Sequence, residues 1–213
     1  LTLRGALPVC RGGCTVTSVA GRAVGQALAR GTSVVVAAGN EASDASGTSP
    51  ASCPGVISVA SNGITGKPAF YSNYGNTVSI SAPGGGVYPN DTGTGTPVAA
   101  GFVWSAIDEG KTVPEKSAYG SMAGTSQATP HVSATIAMLI SALKAAGKPA
   151  MAPADIKTLI QTTARPFPAK PSRMYGTGIV DAFALIQGAL VQGTPSPTIV
   201  PLANAKPLLA ATG

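Results

Sequence analysis

The sequence predicts a layered α/β fold with a largely parallel central sheet. Short runs rich in β-branched residues alternate along the chain with segments of helical periodicity, which is the pattern of strands joined by crossover helices. One run, at residues 33–38, is apolar at consecutive positions, as expected of a strand that is buried on both faces. The chain has 213 residues, of which 44% are hydrophobic and 10% charged, so it can bury one substantial core.

The first half of the chain begins with a predicted helix. Apolar and small residues recur at spacings of three and four within residues 14–31, and a glycine marks the end of the pattern. The buried run at 33–38 follows as the first central strand. Two further strands are predicted at 55–60 and 77–82, because both runs contain β-branched residues and turn-rich segments separate them.

The second half combines a long loop region with three helices. Residues 83–119 are mostly Gly, Pro and polar residues around one predicted strand at 101–107, and loops of this length are commonly functional. Residues 132–146 contain 11 apolar residues of 15, so we expect this helix to be buried nearly all round. The remaining predicted elements are a helix at 153–163, a strand at 178–180 and a helix at 181–190.

Composition and charge argue against several classes of protein. The net charge is +6, but the basic residues are spread singly and do not interleave with aromatic ones, so we expect no nucleic-acid partner. Residues 117–143 carry no charge, yet Gly and Pro interrupt them, so we predict no membrane span. Three cysteines and one histidine do not form a zinc-binding pattern, and a disulfide with one leftover thiol fits them better.

The strongest functional signal is the glycine-flanked serine Ser126, which comes shortly before the most apolar helix. A serine at a helix N-terminus lies beside unpaired N–H groups and the positive end of the helix dipole, which favour the negative charge that an attacked carbonyl acquires. Taken alone, such a serine is more often a helix cap. Asn40 follows the strand at 33–38, at the sheet edge where ligands bind, although asparagines after glycine are commonly turn residues.

Several motifs together resemble the subtilisin-like serine proteases, the subtilase or peptidase S8 family, over about residues 1–190. In the order of that family they are Val-Val-Ala-Ala-Gly-Asn at 35–40, Ser-Pro-Ala at 49–51, Tyr-Ser-Asn-Tyr-Gly at 71–75, Ala-Pro-Gly at 82–84, Gly-Thr-Ser-Gln-Ala-Thr-Pro-His at 124–131 and Gly-Ile-Val-Asp-Ala at 178–182. The resemblance implies a three-layer α/β fold with a mostly parallel central sheet. We therefore assign residues 1–190 to the carboxyl-terminal part of a peptidase domain and 191–213 to a Pro-rich tail or linker.

The resemblance also implies roles for individual residues. Ser126 would be the nucleophile, and Asn40 together with the Ser126 backbone N–H would form the oxyanion hole. The Ser49-Pro50 peptide bond is a candidate for the cis form. Cys14 and Cys53 look most like the disulfide pair of a secreted bacterial branch, with Cys10–Cys14 as the alternative pairing. The residues implied in substrate binding are Leu3, Ala37, Ala38, Gly39, Thr48, Ser49 and Pro50.

The chain departs from the family in lacking a base for the serine. The sole histidine, His131, is five residues after Ser126, which places it about 140° round a helix, so we interpret it as an interior histidine that faces away. Family members carry Asp, His and Ser in that order along the chain. We therefore expect an absent upstream segment to supply Asp and His. Without that segment, the chain should be inactive and poorly folded, with apolar residues such as Val34 to Val36 exposed.

Two other nucleophile arrangements fit the sequence less well. A Ser–Lys pair would need a lysine close to Ser126, whereas the nearest in sequence are Lys116 and Lys144. The α/β-hydrolase motif Gly-x-Ser-x-Gly fails because its last position is Ala128.

The sequence implies no cofactor in the chemistry, while a structural calcium ion stays open. Family members bind calcium near residues 53–56 together with an aspartate, but Ser79 stands at that aspartate position and is a poor replacement for an anionic oxygen. The carboxylates of Asp44, Asp91 and Asp108 leave a calcium site elsewhere open.

The expected partners are protein or peptide substrates and the amino-terminal fragment of the same protease. The resemblance implies a secreted enzyme made as a zymogen. The first residues carry no signal-peptide pattern, which leaves open that the chain is the mature part of an exported precursor. Two alternatives are a catalytically inactive, subtilisin-like binding module and an interaction protein that uses the loop region 83–119.

Overall fold

The computed structural model describes residues 10–85 and 101–191. Leu3 and the proposed tail after residue 191 lie outside the described residues. A short 3-10 helix, Ala45–Gly47, precedes the third strand. The strands and α-helices are β1 (Cys10–Arg11), α1 (Val19–Ala29), β2 (Val35–Ala37), β3 (Thr48–Ser49), β4 (Ile57–Asn62), β5 (Ile80–Pro83), β6 (Val103–Asp108), β7 (Ser117–Met122), α2 (Thr125–Ala145), α3 (Pro153–Thr162) and α4 (Ala182–Val191).

The central sheet of the described residues contains β2, β4 and β5 in that order, and both pairings are parallel. Val35 is opposite Ile57 in the first pairing, and Val59 is opposite Ile80 in the second. All six residues of β4 are buried, because this strand has a neighbour on each side and helices on both faces. The predicted α/β fold with a parallel sheet is confirmed.

Helices cover both faces of the sheet and so produce three layers. Val35 packs into the larger core together with residues of α2, α3 and α4. Val34 and Val36 point to the opposite face, where they pack with Val24 of α1. All three valines of residues 34–36 are only 1% exposed, so the expectation that they would be exposed in this chain was wrong. The reason is that α1 and α2 belong to the chain itself and already cover both sides of β2.

A disulfide joins Cys14 to Cys53, with a Cα–Cα distance of 4.6 Å. It connects the segment before α1 to the segment before β4 and confirms the predicted pairing over the Cys10–Cys14 alternative. Cys53 is 4% exposed and packs in the same small core as Val24. The Ser49-Pro50 peptide bond is cis, as the resemblance implied.

Helix α2 differs from the prediction in two ways. It begins at Thr125 rather than at residue 132, so Ser126 lies within its first turn and Pro130 within the helix. It is also not buried all round: Leu139 is 0% exposed, whereas Met138 and Ile140 are each 52% exposed. The segment contains many apolar residues, but only those that recur at helical spacing face the sheet, and the others face away from it.

The region after residue 100 contains an antiparallel hairpin. The predicted strand at 101–107 is present as β6, and it pairs with β7 from Val103 opposite Met122 to Asp108 opposite Ser117. The sequence analysis missed β7 because its residues, Ser-Ala-Tyr-Gly-Ser-Met, include no β-branched ones. The predicted strand at 178–180 is reduced to isolated bridges at Ile179.

The core between α2 and the sheet gives a test of the fold. Changing Leu139 to Ala should lower the free energy of unfolding by about 2–5 kcal/mol, because a fully buried leucine leaves a cavity. Phe183→Ala is the control, since this side chain is 74% exposed and its removal should change stability by no more than about 0.5 kcal/mol. Urea unfolding of the purified variants measures both values, and equal losses would contradict the described packing.

Candidate active site

Ser126 is the second residue of α2, after Thr125 and the N-cap residue Gly124. Its side chain is exposed, and no described residue forms a hydrogen bond with its hydroxyl group. Its backbone N–H is one of the N-terminal groups that have no partner within a helix, and none of the described residues accepts a hydrogen bond from it. A nucleophilic oxygen and a free donor therefore lie together at the positive end of the longest described helix.

Asn40 is fixed against the first turn of α2 by Thr125. The Asn40 Oδ1 atom accepts hydrogen bonds from the Thr125 backbone N–H at 2.8 Å and from Thr125 Oγ1 at 2.9 Å. The Thr125 hydroxyl in turn accepts a hydrogen bond from the Gly39 N–H at 3.2 Å. Since a backbone N–H can only donate, the amide oxygen must face α2, and Nδ2 faces away from this contact.

The two free donors border the same space. A methyl group built on Gly124 would lie 3.6 Å from Asn40 Nδ2 and 3.7 Å from Ser126 N, and 2.8 Å from the end of the Gln127 side chain, which borders the same space. Neither nitrogen has a hydrogen-bond partner among residues 10–85 and 101–191. An oxygen atom bound beside Gly124 could accept hydrogen bonds from both, and the helix dipole would favour a negative charge there. The arrangement is therefore chemically suited to hold an oxyanion.

Tyr71, in the segment at residues 71–75, forms hydrogen bonds with the loop that lies beside the start of α2. The Tyr71 hydroxyl is within hydrogen-bond distance of the carbonyl oxygens of Gly84, at 3.2 Å, and Gly85, at 2.7 Å. It is also 2.7 Å from Ser61 Oγ. Gly84 accepts a hydrogen bond from the Gly124 N–H at 2.9 Å, so Tyr71 fixes the loop on which the start of α2 rests.

The residues implied as walls of a substrate pocket lie on two segments. Ala37 ends β2, and Ala38 follows it with a side chain that is fully buried among Ala45, Ala60 and Val78. Any contact of Ala38 with a substrate would therefore involve its backbone. Thr48 and Ser49 form β3, which pairs with β1, and Pro50 follows at the cis bond. The role of these residues in substrate binding stays a prediction.

His131 is exposed, so its interpretation as an interior histidine was wrong. Its Nδ1 atom is 2.9 Å from the Gln127 carbonyl oxygen, one turn earlier in α2, and no hydrogen bond joins it to Ser126. The ring lines a cavity of about 340 Å³ together with residues of the β6–β7 hairpin, including Trp104 and Met122. Sequence reasoning failed because it had no hairpin to place beside this face of α2.

The residues near the implied calcium position do not fit that ion. The Val56 carbonyl oxygen accepts a hydrogen bond from Lys157 Nζ at 2.9 Å, and the Cys53 carbonyl oxygen accepts one from the Val56 N–H. Ser79 Oγ accepts a hydrogen bond from the Ser58 N–H at 3.2 Å. Burial lowers the pKa of Lys157. The Lys157 ammonium group thus already contacts the Val56 carbonyl oxygen, and Ser79 supplies no anionic oxygen.

The remaining carboxylates considered for calcium have other contacts. Asp44 caps the short 3-10 helix by accepting a hydrogen bond from the Ser46 N–H at 2.8 Å, and this bond lowers the pKa of its carboxyl group. Asp108 accepts hydrogen bonds from the Gly110 and Glu115 N–H groups. Asp91 lies outside the described residues. Within the described ranges, no three His, Cys, Asp or Glu side chains cluster as metal ligands would.

Comparisons with known proteins agree on one family. The model of the family described as "Subtilase family" matches residues 11–178. An extracellular protease of Xanthomonas campestris pv. campestris is 37% identical over 179 residues, which cover 84% of this chain and 27% of that protein. An extracellular basic protease of Dichelobacter nodosus is 38% identical over 84% of this chain and 26% of its own length. The chain thus spans about a quarter of the length of these two curated relatives.

A solved structure supports the same similarity in three dimensions. A protease from Pseudoalteromonas arctica superposes on this chain with a TM-score of 0.71 and 37% sequence identity. The match covers 84% of this chain and 48% of that one. In the described part of this chain, no helix has the length and apolar character that a membrane span needs.

The contact between Thr125 and Asn40 can be tested through stability. Thr125 is fully buried, and Thr125→Val removes the hydroxyl that bonds to Asn40 Oδ1 and Gly39 N. We expect a loss of about 1–3 kcal/mol in unfolding free energy, because the Gly39 N–H loses its partner and Asn40 Oδ1 loses one of its two. Thr125→Ser keeps the hydroxyl and should lose only about 0.8 kcal/mol for the missing methyl group. Equal stability of the two variants in urea unfolding would contradict a stabilising role of these bonds.

Proposed function

This chain belongs to the subtilase family of serine proteases, and we propose that it carries the nucleophile and the oxyanion hole of a secreted serine endopeptidase. The observation that carries this proposal is the space beside Gly124, which Asn40 Nδ2 and the Ser126 N–H both border as free donors. Acyl transfer requires such donors, because negative charge develops on the carbonyl oxygen of the substrate when the nucleophile attacks. The exposed Ser126 hydroxyl lies next to them.

The proposed reaction proceeds through an acyl-enzyme. The Ser126 oxygen attacks the carbonyl carbon of the scissile peptide bond, while the hydroxyl proton passes to a general base. Asn40 Nδ2 and the Ser126 N–H donate hydrogen bonds to the resulting oxyanion. Collapse of this intermediate breaks the C–N bond, and the leaving amine takes the proton from the base. Water then hydrolyses the ester on Ser126, so the mechanism needs no cofactor.

No described titratable side chain forms a hydrogen bond with the Ser126 hydroxyl group, so we infer that the base comes from outside the described residues. His131 is the only histidine in the sequence, and its Nδ1 atom faces the Gln127 carbonyl oxygen. We therefore propose that a histidine, oriented by an aspartate, is supplied by an upstream segment of the same protease. This agrees with the order Asp, His, Ser along the chain of family members.

The proposed substrates are proteins or peptides, and the proposed location is extracellular. Both curated relatives described above are named as extracellular proteases. The Cys14–Cys53 disulfide supports this location, because such bonds persist mainly in oxidising compartments. Synthesis as a zymogen is part of the same proposal and rests on the family alone.

An inactive binding module is the competing interpretation. It would not need a serine hydroxyl beside two donors that no other described residue uses. An interaction role for the region 83–119 would depend on residues 86–100, which lie outside the described ranges. The structural arrangement around Ser126 therefore favours the enzyme.

Labelling of the serine tests the proposed nucleophile. A phosphonylating reagent directed at reactive serines should modify Ser126 in the full-length protein, and Ser126→Ala should abolish both labelling and peptide hydrolysis. We expect a loss of about 10,000-fold or more in kcat, the scale known for loss of catalytic residues in this family. Ser141→Ala is a matched control, because Ser141 is an exposed serine on the same helix. Undiminished hydrolysis by Ser126→Ala would disprove the assignment.

Comparison of two protein forms tests the proposed upstream segment. Residues 1–213 expressed alone should hydrolyse a chromogenic peptide no faster than their Ser126→Ala variant, because no base is available. Addition of the upstream segment, or its expression in the same chain, should restore hydrolysis at least about 1,000-fold. Substitution of the upstream histidine by alanine should remove this gain. Full activity of residues 1–213 alone would show that another group serves as the base.

A further inference from the structure

The side chain of Asn73 uses its whole hydrogen-bonding capacity on the loop that follows β2. It is 0% exposed. Its Oδ1 atom accepts hydrogen bonds from the backbone N–H groups of Glu41 and Ser43, each at 3.0 Å, and from Ser43 Oγ at 3.3 Å. Its Nδ2 atom donates to the Ala38 carbonyl oxygen at 3.0 Å and to Glu41 Oε2 at 2.8 Å. One buried amide thus defines the path of residues 38–43.

The Glu41 carboxylate connects this amide to Asn40. Its Oε2 atom accepts a hydrogen bond from the Asn40 backbone N–H at 2.9 Å as well as from Asn73 Nδ2. Glu41 is an exposed residue, but this oxygen is held between two donors. The backbone of Asn40 is therefore fixed on one side by Glu41, while its side-chain oxygen is fixed on the other side by Thr125.

The glycine before Asn40 allows these groups to approach. A methyl group built on Gly39 would overlap the Asn73 amide and lie 2.6 Å from Glu41 Oε2. Gly39 also has a φ of +109°, which side chains disfavour, and its carbonyl oxygen accepts a hydrogen bond from the Asn73 N–H at 3.0 Å. The amide and the carboxylate therefore pack directly against the backbone that carries Asn40.

We propose that Asn73 and Glu41 are positioning residues for the oxyanion donor Asn40. They hold the backbone of residues 38–43 so that Asn40 Nδ2 borders the space beside Gly124, and neither contacts the reacting carbonyl. This inference rests on the proposed serine endopeptidase function. Preorganised donors stabilise a transition state because they need no rearrangement when charge develops, so a displaced Asn40 slows the chemical step more than it weakens substrate binding.

Two pairs of variants in the full-length protein test this inference. Glu41→Gln keeps an oxygen that accepts from Asn40 N and Asn73 Nδ2, so its kcat should stay within about threefold of the wild type. Glu41→Ala removes this acceptor and should lower kcat by about tenfold or more, with little change in KM. Glu109→Ala is the control, because Glu109 forms an exposed ion pair with Lys116 at the opposite end of the β6–β7 hairpin from Met122.

The second pair exchanges donor and acceptor. Asn73→Asp turns a donor into an oxygen that faces the Glu41 carboxylate and the Ala38 carbonyl, and kcat should fall by about 100-fold. Glu41→Gln combined with Asn73→Asp should regain stability but not kcat, because the glutamine nitrogen that donates to the new carboxylate then faces the Asn40 N–H and can no longer accept from it. The pair based on Glu41 keeps the test decisive if Asn73→Asp fails to fold, since Glu41 is exposed.

A transition-state mimic separates positioning from a general loss of structure. The affinity for a peptide boronic acid, which forms a tetrahedral adduct with the serine, should fall in parallel with kcat in Glu41→Ala. The affinity for a non-covalent product peptide and the melting temperature should stay close to those of Glu41→Gln. If Glu41→Ala keeps the kcat and boronate affinity of Glu41→Gln, the inference is wrong while the proposed function stands. If the serine-directed reagent does not label Ser126 in the wild-type protein, the proposed function itself is refuted.

Discussion

The contact between Asn40 and the first turn of α2 is the interaction on which the candidate site depends. It joins residues that are 85 positions apart in the sequence, one shortly after β2 and one at the start of α2. Both donors of the contact come from Thr125, so the amide oxygen of Asn40 is fully used. Because the Asn40 oxygen must face Thr125, the amide nitrogen faces the other way and can donate a hydrogen bond to a ligand.

A buried polar segment makes this contact possible. Within residues 71–75, Tyr71 forms hydrogen bonds with the loop after β5 and Asn73 with the loop after β2. Burial of such groups is costly unless every donor and acceptor finds a partner, and here most of the partners are backbone groups of the two loops. The same polar groups that satisfy one another therefore fix both loops beside the N-terminus of α2.

In the proposed reaction, the described residues supply the charge stabilisation and an upstream segment supplies the proton transfer. Charge stabilisation needs donors held in advance by a rigid scaffold, and the described residues provide these at the junction of β2 and α2. Proton transfer instead needs a titratable group within reach of Ser126, which we place on the upstream segment. The two requirements can be separated along the chain, because only their final geometry matters to the reaction.

The sequence by itself determined the parallel α/β fold, the pairing of Cys14 with Cys53 through the family resemblance, and the positions of Ser126 and Asn40 at a helix start and a strand end. The fold and the two positions follow from local periodicity and from motifs that are contiguous in the sequence, whereas the cysteine pairing was implied only by the resemblance. Tertiary structure alone decided the partners of buried polar groups, the exposed side of α2 and the surroundings of His131. A hydrogen bond such as that of Asn73 to Ala38 joins residues 35 apart, and no local pattern records which distant group will satisfy a buried amide.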